Sequence, residues 1–276
     1  MPYIASSAIA PCAHAYEQAD IASFARPFFS EGIDVEHYTG IFETVGVRRR
    51  CFALPLEELV DGRGWLEKSD VFSSEATRLG EQALKRALEK AGMGPEHLGH
   101  LYFISTTGIA TPSVDARILG HPPWDPTTLR TPVWGLGCNG GVSGLARAAD
   151  WVVSHPDRAA AVVCVEFCSL TFLLKDRSLS NFVAAALFGD GAACSVVVGD
   201  ELAARLGIER FRIAGHGVRI FQDSLDVMGW NPLDKGLQLV FSRRIPEYVR
   251  DHARQEFEGL AEASGIAPER VALFLG

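Results

Sequence analysis

Between Ser73 and Ala91 the small and apolar residues Ala76, Leu79, Ala83, Leu84, Ala87, Leu88 and Ala91 recur every three or four positions, with serines at the start and Gly92 at the end. That spacing predicts an amphipathic helix. A short unbroken apolar run, Leu101–Ser105, follows and closes in Thr106-Thr107-Gly108, which suits a strand covered on both faces. The order then repeats. Thr131–Trp134 reads as a short strand, a glycine-rich turn leads into a helix from about Asn139 to Val153, and Ala160–Glu166 is another apolar strand. Helix and strand in alternation predict an α/β fold. The connection from Gly108 to Arg130 carries Pro112, Pro122, Pro123 and Pro126, and connections of that length are usually functional or hold short structure of their own.

Phe188-Gly189-Asp190-Gly191 turns into the run Ala192–Val198, and Gly199-Asp200 marks a boundary. Beyond it Pro246 opens a helix whose residues Tyr248, Val249, Ala253, Phe257, Leu260 and Ala261 lead to Gly265, and Val271–Leu275 reads as a strand. Ala91-Gly92-Met93-Gly94-Pro95-Glu96-His97-Leu98 lies between helix and strand in the first unit; Ser264-Gly265-Ile266-Ala267-Pro268-Glu269-Arg270-Val271 lies between helix and strand in the second. A duplicated architecture follows, with residues 1–199 as one half and 200–276 as the start of another. The second copy stops with its strand, so about 90 residues of the second half are expected to lie outside this chain.

Composition narrows the function. At 47% hydrophobic and 22% charged the 276-residue chain is globular, and a net charge of −8 argues against a nucleic-acid partner. No apolar run reaches the 18 or so residues that cross a bilayer, and the first 20 residues make a poor signal peptide. A cytoplasmic protein with no membrane span is expected. The six cysteines, Cys12, Cys51, Cys138, Cys164, Cys168 and Cys194, form no CxxC pair, so neither a disulfide framework nor a metal site is expected.

One cysteine has a special setting. Gly135-Leu136-Gly137-Cys138-Asn139-Gly140-Gly141 places Cys138 near the first turn of a helix, where unpaired amides and the macrodipole favour a thiolate. Flanking glycines let the chain turn sharply and let an acyl group approach the backbone amides, as a nucleophile beside an oxyanion hole requires. A small buried cysteine in a glycine-rich turn is the plainer alternative. The same residues spell GxGxxG through Gly135, Gly137 and Gly140, so a dinucleotide-binding oxidoreductase stays open. Its acidic ribose partner belongs about 20 residues on, whereas the strand-end acid here, Glu166, lies further away.

Several motifs in order resemble those of bacterial type III polyketide synthases, the chalcone and stilbene synthase family of the thiolase fold. Gly137-Cys138-Asn139-Gly140-Gly141 is similar to the family's GCxGG nucleophile, and Leu187-Phe188-Gly189-Asp190-Gly191-Ala192 to its LFGDGA signature. Ser105-Thr106-Thr107-Gly108 with Pro112-Ser113 resembles the TTSG-type loop, and Val165-Glu166 with Leu170-Thr171-Phe172 the SE-x-x-x-TF segment. Met228-Gly229-Trp230 and Gly236-Leu237 through Pro246 resemble the bacterial branch. The resemblance implies a layered α/β/α/β/α arrangement of two βαβαβ-type halves, the second incomplete. It also implies a homodimer of the full protein and no cofactor.

The function implied is acyl transfer. Cys138 would take an acyl group from an acyl-CoA starter, and malonyl-CoA units would add to it by decarboxylative Claisen condensation, giving a polyketide such as an alkylpyrone or alkylresorcinol. Phe188 matches the gatekeeper position. Thr106, Thr107, Glu166, Thr171, Trp230 and Leu239 match cavity-lining positions, and Arg48, in a run with Arg49 and Arg50 that otherwise reads as a solvated face, is the candidate for CoA binding. By itself Glu166 reads as a structural, hydrogen-bonded strand-end carboxylate more readily than as a catalytic acid, and Cys164, Cys168 and Cys194 read as inert core thiols. The bulk of Trp230 and the aliphatic Leu239 favour an aliphatic starter.

The family's triad partners, a His in HPGG and an Asn in GNxSS, have no counterpart among these residues, and none of the eight histidines stands in a matching motif. Two further alternatives remain: a condensing enzyme like ketoacyl-ACP synthase III, and a non-catalytic acyl-CoA-binding or partner protein.

Overall fold

The computed structural model describes residues 1–60, 62–233 and 236–271. Its centre is a five-stranded sheet of β1 (Tyr3–Ala10), β4 (Leu98–Ser105), β5 (Leu129–Trp134), β6 (Ala159–Phe167) and β7 (Asp190–Val198), in the order β1-β7-β6-β4-β5. β4 runs parallel to both β5 and β6, whereas β7 is antiparallel to β6 and β1. Two antiparallel two-stranded pairs lie apart from it: β2 (His14–Glu17) with β3 (Arg49–Phe52), and the hairpin of β8 (Met228–Leu233) with β9 (Gly236–Phe241).

Strand alternation sorts the side chains of β6 onto two faces. Ala159, Ala161, Val163, Val165 and Phe167 join one core with α5 (Trp65–Lys90), while Ala160 and Val162 join another with α7 (Gly140–Ser154). Both faces are covered, which is why these strands are unbroken apolar runs. β4 obeys the same rule with one slip: its pairing with β6 shifts between Leu98 and His100, so Leu98 and Leu101 share a face across an odd interval.

The remaining helices are α1 (Gln18–Phe29), α2 (Val35–Tyr38), α3 (Ile41–Thr44), α4 (Leu56–Leu59), α6 (Val114–Leu119), α8 (Cys168–Thr171), α9 (Leu179–Leu187), α10 (Asp200–Leu206) and α11 (Ile245–Ala263). α1, α3 and α9 build a separate aromatic core around Phe182, whose ring meets Phe29 at 5.1 Å and Phe42 at 5.5 Å, both edge-on.

α5 starts eight residues before the periodic stretch, at Trp65, with the Glu67 carboxylate accepting from the Gly64 N–H at 2.9 Å. The proline-rich connection does hold structure of its own, α6. The paired segments near 92 and 265 share one geometry: Gly92 (φ 69°) and Gly265 (φ 68°) end their helices, and short 3-10 turns follow at Pro95–His97 and Pro268–Arg270. Of the strand expected at 271–275, positions 272–276 lie outside the described residues. The described residues hold one sheet with helices on both faces, three of the five layers that the resemblance implies. No helix among them is long and apolar enough to cross a membrane.

Leu79, fully buried between α5 and the sheet, is the contact to test. Leu79→Ala is expected to remove about 2–5 kcal/mol in urea unfolding, whereas Leu66→Ala, at a position 75% exposed on the same helix, stays within about 0.5 kcal/mol.

Candidate active site

Cys138 sits where β5 hands over to α7, in a 3-10 turn spanning Gly137–Asn139. The turn needs glycine: Gly137 has φ 54°, a left-handed conformation that L side chains rarely adopt. Gly140 permits a close approach, since a Cβ there would stand 2.5 Å from Ile104 Cγ2 on β4. The head of α7 therefore lies directly on the sheet, at the C-terminal edge of the parallel strands, where open α/β sheets place their ligands. Cys138 is the only exposed cysteine of the six.

Beneath it, three neighbouring strand ends are tied together. Glu166, near the end of β6, accepts the Thr106 N–H at 2.9 Å and 3.1 Å on its two oxygens, and the Thr107 hydroxyl at 2.7 Å. Thr107 Oγ1 accepts the Phe167 N–H at 2.8 Å, and Thr106 Oγ1 accepts the Gly137 N–H at 3.0 Å. Burial pushes the Glu166 carboxyl upward, against the pull of the threonine hydrogen bonds. Thr106, Thr107 and Glu166 thus face one another and the Cys138 turn. They are not among the residues that line the cleft described next; Thr107 lines a small enclosed space with Phe72 and Leu170 instead. The dinucleotide alternative also loses its acid, because the Glu166 oxygens are occupied by these donors.

A narrow, mostly apolar cleft, with a cavity volume of about 80 Å³, opens between α1, α9 and the β8–β9 hairpin. Phe24 and Phe28 of α1, Phe52 of β3, Phe188, Trp230 and Leu239 wall it, and Thr171 lies in the wall beside them. Trp230 and Leu239 are direct cross-strand partners, so β8–β9 presents both to the cleft at one place. Phe188 stands edge-on to Phe241 at 6.4 Å. Cys168 lines the same cleft, and its thiol lies within electrostatic range of the Cys138 sulfur.

Burial acts on the other thiols. It pushes Cys164 up to about 11 and Cys12 up to about 12, and it raises Cys168 and Cys194 as well. These four are ordinary core thiols at neutral pH.

The arginine run divides. Arg48 and Arg49 are exposed, and Arg48 contributes only its carbonyl, which accepts the Gln18 N–H at 2.8 Å. Arg50 points inward and forms part of the cleft wall. The solvated-face reading therefore fails at Arg50, for the physical reason that β3 alternates and Arg50 and Phe52 share its buried side. Pattern reading also gave no role to the Asp190 carboxylate, which acts on Arg50 electrostatically. That carboxylate accepts the Ala53 N–H at 2.8 Å, the Ser169 N–H at 2.9 Å and the Ser169 hydroxyl. The α1 wall was likewise missed, although the apolar Ile21, Phe24, Ala25 and Phe28 spacing carries the signal.

A model of the chalcone and stilbene synthase N-terminal domain matches residues 63–201. The chain is 34% identical to the 1,3,6,8-tetrahydroxynaphthalene synthase of Streptomyces peucetius subsp. caesius, over 95% of this chain and 69% of that protein. Its fold is that of the Streptomyces coelicolor A3(2) tetrahydroxynaphthalene synthase crystal structure, a bacterial type III polyketide synthase, with a TM-score of 0.87 at 24% identity over 95% of this chain and 74% of that one. Germicidin synthase from Streptomyces coelicolor superposes at a TM-score of 0.83 with 22% identity, over 99% and 77%. The fold is thiolase-like, a doubly covered sheet with its reactive edge at the strand C-termini. The chain belongs to the chalcone and stilbene synthase family, the type III polyketide synthases, and is a polyketide-forming transferase.

Two buried groups give opposite pH signatures. Burial holds Asp190 up at about 6, so the folded state binds its proton more tightly than the unfolded chain, and its contribution to stability falls as pH rises from about 4 to 6. Burial holds His100 down at about 4, so its contribution is lost as pH falls from about 6.5 to 4. The wild-type chain is expected to show little net slope between these limits. Asp190→Asn should uncover a loss of stability on acidification, and His100→Gln the reverse, each of the order of 2 kcal/mol in urea unfolding at stepped pH.

Proposed function

We propose that Cys138 carries the acyl group in a decarboxylative Claisen condensation of an acyl-CoA starter with malonyl-CoA. The observation that supports this most is the placement of the one exposed cysteine at the head of a 15-residue helix, within electrostatic range of Cys168 in the wall of a mostly apolar cleft. The Cys138 thiolate attacks the starter thioester, forming a new C–S bond as the C–S bond to CoA breaks and CoA leaves as its thiolate. Malonyl-CoA loses CO₂, and the resulting enolate carbon attacks the Cys138 thioester. A C–C bond forms and the Cys138 thiolate is released. The glycine-lined turn leaves room for a thioester oxygen to approach backbone amides.

Phe188 serves as the aromatic gate of the cleft, and Thr171, Trp230 and Leu239 shape its wall. Thr106, Thr107 and Glu166 hold the nucleophile turn in place. The mostly apolar wall, with Trp230 and Leu239 in it, favours an aliphatic starter. Arg48, exposed near the cleft's α1–β3 side, is the cation proposed for CoA phosphates. A homodimer is proposed through β5, an edge strand whose Leu129 and Trp134 are half exposed.

Intact-mass spectrometry after incubation with decanoyl-CoA tests the central step. An adduct of one decanoyl group is expected on the wild-type chain and none on Cys138→Ala; an adduct that survives in Cys138→Ala, or none on a folded wild-type chain, would overturn the assignment. For the dimer, Trp134→Glu is expected to shift the sedimentation coefficient from dimer to monomer. An unchanged coefficient places the contact elsewhere.

A further inference from the structure

Phe188 is the last residue held by α9: its N–H donates to the Ala184 carbonyl, and its own backbone is extended. The final carbonyls of a helix have no partners within it and must find them elsewhere. Here two buried polar side chains supply them. Arg50, 6% exposed, donates through Nη1 to the Phe188 carbonyl at 2.5 Å and through Nε to Gln18 Oε1 at 2.9 Å. Gln18, 7% exposed, donates through Nε2 to the Ala186 carbonyl at 2.8 Å. Gln18 opens α1 and Arg50 lies on β3, so two separate elements grip the same helix end.

The other side of Phe188 is fixed as well. Asp190, two residues on, accepts hydrogen bonds from Ala53 just after β3 and from Ser169 in α8. Between them, Gly189 lies against the Arg50 stem, at ordinary van der Waals distance. Phe188 is therefore bracketed by a buried guanidinium on one side and a buried carboxylate on the other. Arg50 itself lies in the wall of the mostly apolar cleft. Burying charge there is unfavourable unless it is well partnered, yet Arg50 Nη2 finds no partner among the described residues. A neutral donor could hold one carbonyl without that penalty. A planar fork, by contrast, can donate in two fixed directions at once, which an ammonium cannot.

We propose that Arg50, oriented by Gln18, is the positioning residue for Phe188: it fixes where the aromatic ring stands in the cleft wall and thereby sets which acyl chains pass it to Cys138. This rests on the reading of Phe188 as the aromatic gate. Arg50 touches no reacting atom. Its effect is transmitted through the Phe188 carbonyl.

The test places 4-fluorophenylalanine at position 188 of the 276-residue chain and records its fluorine NMR spectrum in wild type, Arg50→Lys, Arg50→Met and Gln18→Leu. One sharp resonance is expected in wild type, a displaced or broadened one in Arg50→Met and Gln18→Leu, and an intermediate one in Arg50→Lys. An unshifted resonance in folded Gln18→Leu and Arg50→Met overturns the proposal, and if Arg50→Met does not fold, Gln18→Leu alone decides. The same variants are then acylated with acetyl-CoA and decanoyl-CoA. The ratio of the two rates is expected to change about tenfold, the scale of one charge-assisted hydrogen bond, while alkylation of Cys138 by iodoacetamide keeps its wild-type rate. A displaced ring with an unchanged ratio overturns the selectivity role. If no chain takes an acyl group, the proposed reaction fails, and the fluorine spectra still settle the positioning of Phe188.

Discussion

Helices α5 and α7 press on opposite faces of β6, and that two-sided burial decides where polar chemistry can go. Neither face of the central strands can hold an unpaired polar side chain without a large penalty. On β6 the one charged side chain, Glu166, accordingly stands near the strand's end. Its two oxygens collect donors from Thr106 and Thr107. Through Thr106 they hold the Gly137 N–H that begins the Cys138 turn. The exposed sulfur is thus mounted on the rigid edge of the sheet, with the long core behind it. A site carried by strand ends and a helix start is held more firmly than one on a free loop.

Sequence pattern was informative where burial is one-dimensional. In α5 a stripe of small and apolar residues faces a flat sheet, so the period of 3.6 is visible from Ala76 to Leu88. In β4 and β6 both faces are buried, so the run is apolar throughout and its ends show as Thr106 and Glu166. The GCNGG and FGDGA segments could be read because backbone geometry dictates their glycines. What pattern could not supply is the pairing of distant segments. Residues 65–72 of α5 lack the stripe of small residues that marks the rest of the helix, so the helix start is not visible in the pattern. Thr106, Thr107 and Glu166 look like separate cavity positions until β4 and β6 are laid side by side, when they become one hydrogen-bonded knot.

Arg50 illustrates the same limit more sharply. Three consecutive arginines in sequence look like solvent-facing charge, and for Arg48 and Arg49 that holds. One residue further, β3 alternation turns the third inward beneath Phe188. The acceptors that make its burial tolerable come from Gln18 and from the end of α9, far away along the chain. No local window contains that information. The cleft itself is of the same kind: its walls come from α1, β3, α9 and the β8–β9 hairpin, each unremarkable by itself.

Six cysteines in one chain pose a selectivity problem for any acyl transfer through a thiol, because a thioester formed at the wrong sulfur is a dead end. The fold resolves most of it by burial. Cys12, Cys164, Cys168 and Cys194 are raised by desolvation, so their thiolate fraction at neutral pH is small. Access adds a second filter: Cys194 is sealed in the sheet between β1 and β6, while Cys138 stands in the open at the helix start. Cys168 is the instructive case, since it lines the cleft and lies within electrostatic range of the Cys138 sulfur. Its surroundings, with Asp190 and Glu166 both raising it further, disfavour a second anion there. The two carboxylates that organise the backbone around the site therefore also keep the neighbouring thiol protonated, so that structural support and choice of nucleophile come from the same buried charges.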